Sequence, residues 1–151
     1  MEVQLVYSTS MKDNRYFVRC LTITKEVSAN NYIVDTGAKI TCCNYSFLDE
    51  SILEKDVVFC EAKIIGGLVK GNAVKFYRYP IRQFTIGTID MGRQDIWITF
   101  DKRVTDIILG MDILKQVIII TNPYNQKIYF CRDTEDYKRN FRLNGETDSN
   151  N

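Results

Sequence analysis

Ile33-Val34-Asp35-Thr36-Gly37-Ala38 is the stretch on which the reading of this chain turns. Tyr32-Ile33-Val34 is a compact apolar run of residues that favour extended backbone, the composition of a short strand. A strand ending in Asp-Thr-Gly delivers one carboxylate to a surface. Gly37 permits a sharp turn after it, and the Thr36 hydroxyl can lock that turn by hydrogen bonding. One aspartate alone does little at neutral pH because it is simply ionised. Two held together cannot both ionise cheaply, so they share a proton. The ionised member can then take a proton from water while the protonated member polarises a carbonyl. The tripeptide does not establish this by itself, since strand-to-turn junctions favour Asp and Gly for structural reasons.

Composition closes several other routes. The chain has no histidine among its 151 residues. Ser-His and Cys-His nucleophilic mechanisms are therefore closed to it acting alone, as are zinc sites that use imidazole. Hydrolytic chemistry must come from carboxylates, Lys, Tyr, an N-terminal amine or a borrowed cofactor. Five cysteines (Cys20, Cys42, Cys43, Cys60 and Cys131) form no Cys-x-x-Cys pair. An odd count outside a secretory context argues for free thiols in a reducing compartment, so a cytoplasmic location is expected. Their plain reading is as small buried hydrophobes. Cys42 and Cys43 should point to opposite faces of a strand and so make poor partners for one metal.

The net charge of +1 offers no long-range field to attract nucleic acid or an anionic membrane. The first residues show no basic region followed by an apolar run, so no secretory signal is expected. Apolar stretches such as Val117-Ile118-Ile119-Ile120 are far too short to span a bilayer. A chain of this length suggests one domain with a sizeable core.

Outward from the motif, most of the chain reads as short strands rich in Val, Ile, Tyr, Phe and Thr. Residues 3–7 and 16–24 are the expected first strands, with a polar turn over 10–15, and residues 40–44 resume extended character. Residues 47–54 read as a first helical turn with Ser46 as N-cap. Strands are expected over 57–65, 73–79, 81–86 and 96–100, with Pro80 marking an edge or a bend. Ile107-Ile108-Leu109 ends at Gly110, a short helix follows over 112–116, and residues 118–121 and 127–131 form a hairpin. The tail from residue 133 is polar, and 144–151 are expected to be disordered.

The second segment, Ile107-Ile108-Leu109-Gly110-Met111-Asp112-Ile113-Leu114, changes the weight of the first. With both in place the sequence resembles the retropepsin-like aspartic peptidases. Their domains carry an apolar-Asp-Thr/Ser-Gly-Ala motif and a later Ile-Leu-Gly-x-Asp-x-Leu motif. The resemblance covers roughly residues 3–131 in the expected order and spacing. It implies a mainly β, single-domain acid-protease fold: a closed, barrel-like sheet with one or two short helices over residues 1–132, and a partly disordered tail over 133–151. It implies Asp35 as the catalytic residue, with Thr36, Gly37 and Ala38 completing the turn. Leu109 and Gly110 would pack beneath that turn. Asp112 is expected to hydrogen-bond Thr41 or the backbone beyond Ala38; its alternative is a plain helix N-cap, and both can hold.

Residues 64–71 fall where the family has its flap, a hairpin that closes over bound peptide. Ile65, Gly66, Gly67 and Leu68 are the substrate-facing candidates. Glycines at a hairpin tip would supply positive φ and hinge freedom. Two positions depart from the retroviral pattern. Lys39 stands where those members carry an acidic residue that helps hold substrate backbone, and Met111 where they carry the Arg that pairs with it. Cellular and bacterial relatives resemble this chain better.

Only one Asp-Thr-Gly exists in the chain, and 151 residues cannot hold two pepsin-like lobes. The dyad therefore requires a homodimer, with a two-fold axis between two copies of Asp35. Residues 118–131 are the candidate interface, or alternatively an interior hairpin. The substrate would be an extended polypeptide, the nucleophile water, with no metal or organic cofactor. Two rival readings remain. One is a catalytically silent retropepsin fold that binds peptides or proteins; the intact Asp35, Thr36 and Gly37 argue against it. The other is an actin-like ATP-binding domain, which Asp35, Gly37 and Thr41 fit loosely but which needs a second lobe.

Overall fold

The computed structural model describes residues 3–12, 15–19, 32–69, 72–86, 89–122, 124, 127–133, 135 and 138. Strands dominate, as the β-branched and aromatic content dictates. In chain order they are β1 (Val3–Lys12), β2 (Arg15–Arg19), β3 (Tyr32–Val34), β4 (Cys42–Asn44), β5 (Ala62–Val69), β6 (Asn72–Ile81), β7 (Thr85–Ile86), β8 (Ile89–Asp90), β9 (Gln94–Thr99), β10 (Ile107–Leu109), β11 (Ile118–Asn122) and β12 (Lys127–Cys131). Two short helices interrupt them, α1 (Glu54–Val58) and α2 (Met111–Leu114). Neither is long and apolar enough to cross a membrane.

Ten strands form one sheet in the order β11-β12-β1-β2-β3-β10-β4-β9-β6-β5, and β7 pairs with β8 as a separate hairpin. The expected closed barrel is not formed among the described residues: β11 and β5 are free edges of an open sheet. The reason is visible at β5. Its Lys63, Ile64, Ile65 and Gly66 line a cleft opposite Asp35, and a strand closing the sheet there would fill that cleft.

The centre of the sheet positions the site. β10 pairs in parallel with β3, Leu109 opposite Val34, and antiparallel with β4, Ile108 opposite Cys42. β3 and β4, which the Asp35 turn connects, are therefore held apart by a strand from seventy residues further on. β3 and β10 are buried on both faces, so they read as unbroken apolar runs without alternation. Tyr32, Val34, Cys43, Ile107 and Leu109 enter one core cluster; Ile33, Cys42 and Ile108 enter another with Val74, Phe76 and Val104. Cys42 and Cys43 thus face opposite ways. Full burial of one such Val, Ile or Leu side chain contributes about 1.5–3 kcal/mol.

Two local expectations fail. The helix expected over 47–54 is instead a 3-10 turn over Tyr45–Phe47, capped by the Asn44 side chain accepting from Ser46 N, followed by α1 further on. Val57 and Val58, read as the start of a strand, belong to α1. Only Val57 is buried there, while Val58 and Phe59 stay exposed. Pro80 lies inside β6, opposite Asp95 of β9, but beyond Ala62, where β5 begins. Its missing N–H therefore faces no strand. The tail expectation over 144–151 lies outside the described residues.

Candidate active site

β3 ends by handing its pairing to the motif: Asp35 N donates to Leu109 O at 3.0 Å, one step beyond Val34. The chain then turns, closed by Ala38 N donating to Asp35 O at 3.1 Å. Gly37 N donates to Asp35 Oδ1 at 2.9 Å, fixing the carboxylate. The lock expected from Thr36 is absent. Its side chain is exposed and makes no bond within the described residues, because the Asp35 side chain already holds the turn. The need for glycine at 37 is one of space. A Cβ there would stand 3.2 Å from Asp35 Oδ1, and among the described glycines only Gly92 has a positive φ.

Behind the turn the later segment acts as a clamp. Gly110 leaves no room for a side chain, since a Cβ would overlap the Ile40 backbone. This close approach lets Met111 N donate to Ala38 O at 2.7 Å and Asp112 N to Lys39 O at 3.2 Å. The Asp112 carboxylate receives Thr41 N on Oδ2 at 3.0 Å and the Thr41 hydroxyl on Oδ1 at 2.7 Å. The same hydroxyl accepts from Gly110 N at 2.9 Å, so Thr41, which is 2% exposed, uses both its donor and acceptor capacity. The expected Asp112–Thr41 hydrogen bond is present. The N-cap alternative is not, because Gly110 occupies the cap position and Asp112 lies within the first turn.

Cys42 packs under this assembly. Burial, reinforced by the negative charges of Asp112 and Asp35, pushes its thiol up to about 12. Burial raises Cys43 as well. Neither offers a thiolate nucleophile near neutral pH.

Asp35 opens onto a cleft of about 570 Å³. Gly37, Ala38, Lys39 and Ile40 share its floor, Lys63 to Gly66 of β5 form one wall, and Arg103 to Asp106 with Ile108 form the rest. Asn44 holds that last segment in place, its Nδ2 donating to Asp101 O at 2.8 Å and to Val104 O at 3.3 Å. Of the expected flap glycines, Gly66 and Gly67 lie on β5 ahead of the turn that joins it to its antiparallel partner β6, and Gly71 lies outside the described residues. Gly66 lies on β5, where the register with β6 shifts between Ile65 and Val69, and its φ is not positive. Gly67 and Leu68 continue the strand. Of the sequence candidates, Asp35, Gly37, Ala38, Ile65 and Gly66 meet at the cleft. Thr41, Leu109, Gly110 and Asp112 sit beneath it as supports. Sequence reasoning missed Lys63, Arg103 and Asp106; no local pattern marks them, because their place depends on how β5 and the 103–106 loop pack.

The sequence pattern that defines the aspartyl protease family matches residues 22–113, from ahead of β3 into α2. Among solved structures, a retropepsin-like aspartic protease from Rickettsia conorii is 11% identical and superposes with a TM-score of 0.57, covering 85% of this chain and 89% of that one. A comparison with curated proteins gives no match. The identity is low enough that the structural likeness speaks for the fold alone. The sequence match takes in both the Asp35 turn and the clamp behind it, and on that ground the chain belongs to the aspartyl protease family, on a retropepsin-like fold.

Proposed function

We propose that this chain is an aspartic endopeptidase that works as a homodimer, with one Asp35 from each copy forming the catalytic pair. The observation that carries the reading is the state of Asp35. It is half-buried at the floor of an open cleft, fixed by Gly37 N and by backbone bonds on both sides, and among the described residues no cation bonds its carboxylate. A carboxylate held this firmly and left open to a cleft is placed to act on something that enters it.

Across a two-fold axis, two such carboxylates share one proton. A water between them is the nucleophile. The ionised Asp35 takes its proton as the oxygen attacks the scissile carbonyl carbon, and the protonated Asp35 donates to the carbonyl oxygen. A proton then passes to the leaving nitrogen as the C–N bond breaks. The peptide would lie extended between the floor and β5, whose outer edge pairs with no strand among the described residues and can bond a substrate backbone. β11 is the other free edge of the sheet, and its Ile118, Ile119 and Ile120 are half-buried. An unpaired edge of this kind supports the terminal hairpin as the dimer contact.

The test is a peptide-cleavage screen from acidic to neutral pH, comparing wild type with Asp35→Asn. The substitution should lower cleavage by roughly 10²–10⁴-fold. Cleavage that survives it would remove Asp35 from the mechanism. Peptide binding with no cleavage at any pH would favour a binding module on the same fold.

A further inference from the structure

Apart from Asp35, the charged side chains around the cleft are Lys39, Lys63, Arg103 and Asp106. They are not equivalent. Arg103 is held by Asp101, its Nη2 standing 2.5 Å from Oδ2 and its Nε 2.9 Å from Oδ1. The two lysines have no carboxylate within ion-pair distance among the described residues. Lys39 lies on the floor, directly after the Asp35 turn. Lys63 lies on the facing wall, its ammonium 5.8 Å from the centre of the Trp97 ring. The cleft lining also includes the aliphatic side chains of Ile40, Ile64, Ile65, Val104 and Ile108.

We propose that Lys39 and Lys63 determine specificity, selecting peptides that carry acidic side chains within a few residues of the scissile bond. This rests on the peptidase reading above and names its substrate class. An extended peptide alternates its side chains between two sides, so floor and wall read alternate residues. Among the described residues neither ammonium is in an ion pair, so binding a substrate carboxylate breaks none of those seen there. Both lysines are exposed, so each attraction is that of a surface pair and is screened by salt. Two-fold symmetry repeats both lysines on the other side of the dyad, so acidic residues are favoured on either side of the cut. Asp106 opposes them, and its removal should strengthen the preference.

The experiment uses the full-length Asp35→Asn chain, so that binding is read without turnover. Two labelled peptide libraries, identical except that glutamates in one are glutamines in the other, are titrated by fluorescence anisotropy. The glutamate library should bind about tenfold more tightly at low salt, and the gap should narrow as salt screens it. The gap should collapse in Lys39→Met/Lys63→Met, persist in Lys39→Arg/Lys63→Arg, and widen in Asp106→Asn. Equal binding of the two libraries, or a gap that survives the methionine pair, overturns the proposal. The same libraries given to wild type separate the two readings. Cleavage without glutamate preference overturns this inference and leaves the peptidase standing. Glutamate-selective binding without cleavage sustains this inference and overturns the catalytic reading. Absence of both binding and cleavage overturns both.

Discussion

Between Asp35 and Thr41 the backbone of the floor is tied to β10 or α2 at Asp35, Ala38, Lys39 and Thr41, through Leu109 O, Met111 N, Asp112 N and the Asp112 carboxylate. Across the cleft, β5 is paired on one side only among the described residues, and its register with β6 breaks between Ile65 and Val69. The two regions face the same space and are held in opposite ways. The difference matches what each would do under the proposed function. A carboxylate that moves protons needs a fixed position, since small displacements cost much of the rate. A wall that admits and then covers a peptide needs little holding it.

Substitution at glycine separates the two regions most sharply. Gly110→Ala should destabilise the protein by about 3 kcal/mol or more, because the new methyl must displace the Ile40 backbone. Urea unfolding gives the number, and a shift under 1 kcal/mol would mean that the floor is softer than its geometry indicates. Asp112→Ala comes next, at about 2 kcal/mol, since it strands the buried Thr41 N–H and hydroxyl. Asp112→Asn should recover part of that loss by keeping an acceptor for Thr41.

A third prediction follows from the thiol packed under the floor. A folded-state value raised above the unfolded one means that the native protein binds more protons in the interval. Stability is then full below about 9 and falls as pH rises toward about 12. Cys42→Ala, at a cost in packing, should flatten that alkaline slope in a pH series of thermal unfolding; an unchanged slope would assign it to other groups. The smallest effect belongs to the wall. A Cβ at Gly66 meets nothing within 4 Å, so Gly66→Ala should change stability by no more than about 0.5 kcal/mol. A large loss there would show β5 to be as tightly held as the floor.

The same contrast decides what could be read from sequence. Asp35, Gly37, Gly110 and Asp112 are each held to one residue type by a close contact or a hydrogen bond, and such residues leave a pattern. The hairpin of β11 and β12 was also legible, its two apolar runs separated by turn formers. Val57 and Val58 misled because β propensity was overridden: one face of α1 buries Val57 and leaves Val58 and Phe59 in solvent. The open sheet could not be foreseen, since closure depends on the path of β5 over the cleft. Lys63 and Asp106 carry no local mark at all. Their position relative to Asp35 is fixed by pairings between strands far apart in the chain, and β5–β6 register is where the sequence specifies least.

The central claim is that one catalytic site is built from two chains, and mixing tests it directly. Wild type is held at a fixed concentration where it dimerises, and a roughly tenfold excess of Asp35→Asn is added and allowed to exchange. If each site needs two intact Asp35 residues, wild-type chains are drawn into mixed pairs and peptide cleavage falls about tenfold. Cleavage that stays unchanged while pull-down through a tag on the variant recovers wild-type chains would place the complete site within one chain and contradict the account.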